Sequence, residues 1–143
     1  MEYFKYFRRQ IIYCQMKNYK TYFQIKADAQ DVFTALTNPF TIELWSGDKA
    51  VMTQKAGDEF SLWGGDIIGK NLEVVENEKL VQQWYFGEED EKDPSIVTLM
   101  LWPKNSQTSV ELNHTNIPDE AYDNIVEGWN DAYLGAIKAL LEI

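Results

Sequence analysis

The stretch DEAYDNIVEGWNDAYLGAIKALLE, residues 119–142, decides how the rest of the chain is read. Its apolar side chains fall at Tyr122, Ile125, Val126, Trp129, Tyr133, Ile137, Leu140 and Leu141. That is the spacing of one long amphipathic helix with a single core-facing side. Before it the pattern is almost entirely strand. Segments near 19–26, 50–54, 59–63, 67–76, 80–86, 96–102 and 108–116 alternate or run apolar, and turn chemistry such as Ala56-Gly57-Asp58, Gly64-Gly65-Asp66 and Asn77-Glu78-Lys79 separates several of them. Such short connections favour antiparallel neighbours.

Two short helices interrupt the pattern after the first strand. Asp28 is placed to cap the first, which carries Val32, Phe33 and Leu36 inward and stops at Asn38, because Pro39 disfavours helical geometry in the residue before it. Pro39 suits the first turn of the second, residues 40–45, which Ser46-Gly47 ends. The expected fold is α+β: a strongly curved antiparallel sheet of six to seven strands, two short helices after strand one, and a long C-terminal helix across the concave side. Such a layout leaves a space that side chains or a ligand can fill.

With 143 residues and 45% hydrophobic content, the chain is expected to form one domain with a real core. No apolar stretch approaches the length of a membrane span. Cys14 is the single cysteine, so no disulfide framework or thiolate metal site is expected and a reducing, cytoplasmic setting fits best. The net charge is -10, from 13 basic and 23 acidic residues. The first sixteen residues hold Lys5, Arg8 and Arg9 against Glu2, which leaves 10 basic and 22 acidic residues in the remainder. That balance repels phosphate backbones and argues against nucleic acid as a partner.

Residues 1–15, MEYFKYFRRQIIYCQ, are basic, aromatic and without a clear period. No uninterrupted apolar core follows the arginines, so they do not read as a secretory signal. Met16 opens the segment that leads into the first strand. The first fifteen residues therefore read as an N-terminal extension, expected to be mobile or loosely docked, ahead of a domain over 16–143. A short amphipathic membrane anchor is the alternative.

Several motifs carry less chemistry than they first suggest. Gly64 to Lys70, GGDIIGK, fits part of a phosphate-binding loop, but Asn71 stands where Ser or Thr should ligate magnesium, and a strand rather than a helix is expected next. The glycines are read as serving a tight turn and a bend in the sheet. His114, the single histidine, sits in the apolar alternation Val110, Leu112, His114 and is read as buried and hydrogen-bonded to backbone. Glu88 to Asp93, EEDEKD, is read as a solvated hairpin loop, or else as an electrostatic patch for a basic partner. Gly128 and Gly135 are costly in a helix interior, by about 1 kcal/mol each relative to alanine. They are read as allowing close approach of the helix to the sheet or to a bound molecule.

The aromatic residues say more. Trp45, Trp63, Trp84, Trp102 and Trp129 are five tryptophans in one small domain. Trp84 shares a strand face with Leu80, Gln82 and Phe86, and Trp129 lies on the core face of the last helix. The candidate walls of an internal cavity are Trp45, Trp63, Trp84, Phe86, Met100, Tyr122 and Trp129, with Gln82 and His114 as polar anchors.

Five blocks carry a resemblance in order: TNPFTIELWSG (37–47), EFSLWGGDIIGKNLEV (59–74), KLVQQWYF (79–86), TSVELNHTNIPDE (108–120) and EGWNDAYLGAIKALL (127–141). Together they resemble proteins like the activator of the heat-shock protein 90 ATPase, within the START-related (SRPBCC) superfamily, over about residues 17–143. The resemblance implies a helix-grip fold, as in START and Bet v proteins, whose members bind apolar ligands between helix and sheet. It also implies kinship with a co-chaperone, which itself carries an additional N-terminal domain. The function expected is non-enzymatic binding of an apolar or amphipathic, lipid-like small molecule by a cytoplasmic monomer without cofactor or metal. The alternative is a chaperone-interaction module that works through an acidic surface. A third reading is a cyclase or hydrolase with His114 as acid/base.

Overall fold

The computed structural model describes residues 16–85 and 93–143. The N-terminal extension, Phe86 and all of the acidic run except Asp93 lie outside the described residues. Six strands form one antiparallel sheet: β1 Met16–Ile25, β2 Glu59–Leu62, β3 Ile67–Val75, β4 Lys79–Tyr85, β5 Ser95–Lys104 and β6 Gln107–Pro118. Their order across the sheet is β1-β6-β5-β4-β3-β2, so only β1 pairs with a strand far away in sequence. The segment expected as a strand near 50–54 makes a single bridge, Val51 to Ser61, and does not extend into a strand. With only β2's four residues to pair against, there is little ladder for it to join.

The two short helices follow β1: α1, Ala29–Thr37, and α2, Pro39–Ser46. Asp28 stands at the N-cap of α1 but its side chain makes no capping bond, whereas Asn38 caps α2 by accepting from the Thr41 amide at 3.1 Å. Pro39 occupies the first turn of α2 and Gly47 ends it in the left-handed conformation at φ 75°. These features fix a sharp corner at Asn38. Val32, Phe33, Leu36 and Ile42 thereby face a core that also takes Ile25, Leu80, Leu99 and Leu112 from the sheet. Each such side chain contributes about 1.5–3 kcal/mol by leaving water.

Inward and outward faces alternate as the sequence indicates in β4, where Leu80, Gln82 and Trp84 are buried, and in β6, where Val110, Leu112 and His114 are. In β3 the register shifts between Asn71 and Glu73. This bulge separates Leu72, 39% exposed, from Val74, which packs against the core, where strict alternation would put both on one face. Gly69 pairs with Trp84, and a side-chain carbon at Gly69 would collide with the Gln83 carbonyl and the Phe60 ring. The glycine thus serves close packing within a strand, and the phosphate-loop pattern has no helix behind it.

The C-terminal helix runs as α3, Tyr122–Glu127, a π turn, Gly128–Tyr133, and α4, Leu134–Leu141. A π turn inserts one residue into the helical register. Leu134 accordingly joins Trp129, Tyr133 and Ile137 on the fully buried side, a position that the unbroken spacing did not indicate. The Asn130 amide donates to the Val126 carbonyl and to the Tyr19 hydroxyl, both at 2.9 Å, and so ties the turn to β1.

Gly135 has a reason other than the close approach expected of the two helix glycines. A side-chain carbon at Gly135 would run into the Asn130 carbonyl that the π turn brings over it, whereas one at Gly128 would meet nothing within 4 Å among the described residues. Gly135→Ala should therefore destabilise the protein by about 1–3 kcal/mol, as overpacking does. Gly128→Ala should stabilise it by about 0.5–1 kcal/mol through the entropy of the unfolded chain. Urea melts of both variants check this, and changes of the same sign would refute the role given to the π turn.

Candidate functional site

The concave side of the sheet meets the π turn in a cluster of aromatic rings. Trp129 stacks on Trp84 with ring centres 4.9 Å apart and planes 21° from parallel. Tyr133, one turn further on, lies 4.5 Å from Trp129 and 4.7 Å from Trp45. Trp63 completes the cluster edge-on to Trp45 at 5.8 Å and to Tyr133 at 6.0 Å. Beside these rings is a cavity of about 230 Å³. Trp63, Ile67 and Trp84 line it from the sheet side, and Asn124, Ile125, Gly128, Trp129, Ala132 and Tyr133 line it from the helix.

The N–H groups of three tryptophans are used inside the protein. Trp45 donates to the Ala35 carbonyl at 2.8 Å, Trp84 to the Gln82 side-chain oxygen at 3.0 Å, and Trp129 to His114 Nδ1 at 2.9 Å. The Gln82 side-chain amide donates to the Asn71 side-chain oxygen at 2.9 Å, and the Asn71 side-chain amide donates to the Thr53 carbonyl at 3.0 Å. The result is a buried polar chain behind the aromatic wall. Its members hold the rings in place and leave their faces, rather than their donors, to the cavity.

Trp63 has an unusual backbone. Its φ is 50°, and Gly64 and Gly65 follow at 64° and 106°. A tryptophan in the left-handed region costs roughly 1–2 kcal/mol, and such strain concentrates at functional positions. The three-residue turn swings a half-buried indole over the edge of the cavity.

The candidates from the sequence divide accordingly. Trp63, Trp84 and Trp129 come together at the cavity. Trp45, Gln82 and His114 are buried behind it as support. Met100 belongs elsewhere: it is half-buried between the inward-facing Leu99 and Leu101, so strand alternation puts it on the opposite face of the sheet. Tyr122 is also displaced, packed edge-on against Tyr19 at 6.3 Å with the Lys17 ammonium 4.9 Å from its ring. Both corrections follow from strand and helix geometry, since an apolar residue type says nothing of direction. Phe86 lies outside the described residues. Tyr133, Ile67 and Ile125 were not among the candidates, although Tyr133 sits four residues from Trp129 on the same helix face.

His114 is buried and bonded to an indole, where a backbone partner had been expected. Its Nδ1 accepts, so the neutral ring carries its proton on Nε2. Burial lowers its pKa to about 3, which keeps it uncharged at neutral pH. Among the described residues no group of three or more His, Cys, Asp or Glu side chains could hold a metal ion. No described helix is long and apolar enough to cross a membrane.

Between the ordinary histidine value of 6.5 and about 3, the unfolded chain takes up a proton that the folded His114 refuses. Its contribution is fully present above 6.5 and is lost as pH falls through that window, at up to about 1.4 kcal/mol per pH unit. His114→Gln, which keeps an acceptor for the indole, should lose less stability than the unaltered protein between pH 6.5 and 4. Parallel acid titrations of melting temperature check this, and identical slopes would count against a neutral buried histidine.

Comparison with known proteins agrees with the architecture. A relative from Dictyostelium discoideum, an activator of 90 kDa heat shock protein ATPase homolog, is 30% identical over 112 residues, covering 78% of this chain and 28% of its own length. The mouse activator homolog 2 is 25% identical over 114 residues, 80% of this chain and 34% of the relative. The chain thus spans about a third of the length of these curated relatives. The crystal structure of an HSP90 activator from Plasmodium falciparum superposes with a TM-score of 0.82 at 28% identity, covering 90% of this chain and 97% of that one. Residues 26–142 match the family described as activator of Hsp90 ATPase homolog 1-like protein, and the chain belongs to that family.

Proposed function

We propose that this chain is a non-enzymatic binding protein that holds an apolar small molecule between its C-terminal helix and its sheet. The observation that carries the reading is the cavity of about 230 Å³ at Trp63, Trp84, Trp129 and Tyr133. Each 100 Å² or so of apolar ligand surface buried there contributes about 2.5 kcal/mol. The state of His114 favours binding over catalysis. A neutral imidazole with a pKa of about 3 and Nδ1 committed to Trp129 is poorly suited to proton transfer at pH 7.

Trp129 is wall and core at once, so its truncation to alanine would cost about 3–5 kcal/mol and could not separate binding from folding. Trp63 is the better probe. Trp63→Gly removes the half-buried indole and also relieves the left-handed backbone. Native mass spectrometry of gently purified protein should show an added mass that denaturation releases. Trp63→Gly should lose that mass, or bind a recovered ligand at least tenfold more weakly, with little change in melting temperature. Undiminished binding by this variant would remove the cavity as the site.

A second reading rests on the relatives, whose names are those of heat shock protein 90 ATPase activators. In it the chain is a module that docks on a chaperone through acidic surface. Asp123, Glu127 and Asp131 lie exposed at four-residue intervals along the C-terminal helix. Replacing them by Asn, Gln and Asn should abolish a salt-sensitive association with the chaperone and leave cavity binding intact. Association unchanged by the triple substitution and by salt would end this reading.

A further inference from the structure

We propose that the mouth of the cavity is covered by the chain's own N-terminal segment, residues 1–15, whose basic side chains rest on the outer side of the C-terminal helix. The contact goes beyond the small-molecule reading and holds whether or not a guest also enters. The point at which the segment joins the domain supplies the first argument. Met16 pairs with Pro118, the Lys17 ammonium lies 2.9 Å from the Asp119 carboxylate, and Tyr19 packs edge-on against Tyr122. The segment therefore joins β1 beside the start of the C-terminal helix, which lines one side of the cavity.

Its length is sufficient. Residues 119–132 of the helix span roughly 20 Å at about 1.5 Å per residue. Arg9 and Arg8 stand seven and eight residues before Met16, and Phe7, Tyr6, Phe4 and Tyr3 stand nine to thirteen before it. At up to about 3.3–3.6 Å per residue, the arginines reach about 23–29 Å and the aromatic group about 30–47 Å.

Charge and polarity match along that path. Successive helical residues are about 100° apart. Tyr122 and Asn130 face Tyr19 of β1, whereas Asn124, Gly128 and Ala132 line the cavity. Asp123, Glu127 and Asp131 fall between them on the exposed side, so a segment passing over the helix from β1 to the mouth crosses these carboxylates. None of the three makes an ion pair among the described residues. The segment brings Lys5, Arg8 and Arg9 against Glu2, while residues 17–143 hold 10 basic and 22 acidic residues. The mouth itself is apolar, with Trp63, Ile67 and Ile125 half-buried and Ala132 exposed, and the segment offers Tyr3, Phe4, Tyr6 and Phe7 to it. Exposed ion pairs are individually weak, but a short tether supplies an effective concentration on the order of millimolar, which populates contacts too weak to join separate molecules.

The test is paramagnetic broadening in the full chain, with a nitroxide on Glu2→Cys after Cys14→Ser removes the single native thiol. Position 2 is fourteen residues from Met16, so the tether alone does not bring it to the mouth. The amides of Ile67, Asn124, Gly128 and Ala132 should lose at least half their intensity, while those of the Lys104–Gln107 hairpin keep theirs. Salt at about 1 M should restore the lost signals. Lys5→Glu, Arg8→Glu and Arg9→Glu together should also restore them, and adding Asp123→Lys, Glu127→Lys and Asp131→Lys should bring the broadening back. Broadening spread evenly over the surface, centred on Phe40 and Leu44 instead, or unchanged by the reversal in the segment would overturn the proposal. So would equal broadening of a nitrogen-15 chain without nitroxide when mixed with a nitroxide-bearing one, which would make a second copy the occupant.

Discussion

The hydrogen bond from the Trp129 indole to His114, 2.9 Å long and buried, joins the C-terminal helix to the middle of β6. Much else is set by it. With its N–H aimed at the sheet, Trp129 stacks on Trp84, and both rings border the cavity. Trp84 is held in turn by Gln82, Gln82 by Asn71, and Asn71 by the backbone near Thr53. Apolar burial alone would let these rings settle in several packings of similar energy. A connected polar chain at low dielectric selects one of them. The neutral histidine follows from the same bond, since a protonated ring would lose its acceptor and face an apolar interior.

Much of this arrangement could be read from the chain. Alternation identified the inward residues of β4 and β6, and the Asn38-Pro39 and Ser46-Gly47 pairs marked the ends of the short helices. What escaped has identifiable causes. The bulge beside Leu72 and the π turn after Glu127 each insert a residue, and an inserted residue rotates everything beyond it relative to a periodic pattern. Leu134 was underrated for that reason. Met100 and Tyr122 were overrated because composition cannot say which side of a sheet, or which end of a helix, a side chain occupies. The partner of His114 was beyond reach: Trp129 is fifteen residues away, and only the packed helix brings the two rings together.

Family membership and the cavity bear on function differently. The matched region, residues 26–142, contains the whole aromatic cluster and the polar chain behind it. The matched stretches make up 34% of the mouse relative and 28% of the Dictyostelium one, so whatever the remaining residues of those two contribute lies outside the comparison. What the shared portion offers in common is therefore architectural: a sheet, a helix laid over it, and a space whose lining each sequence can vary independently of the frame.

The pairing of β1 with β6 has a consequence for how the protein is made. Met16 meets Pro118 and Ile25 meets Thr108, so the first described strand finds its partner only after nearly the whole sheet has been synthesised. Strands β3 to β6 can form successive hairpins as they leave the ribosome, each closing a short loop. β1 must wait, with its backbone donors and acceptors unpaired and its apolar side chains uncovered, until β6 arrives and the long loop can close. Topologies with such remote contacts fold slowly, and the waiting strand is an open edge to which other chains can add. The interval before β6 arrives is thus the one in which β1 is most open to pairing with other chains, and in the finished sheet β1 keeps one free edge among the described residues.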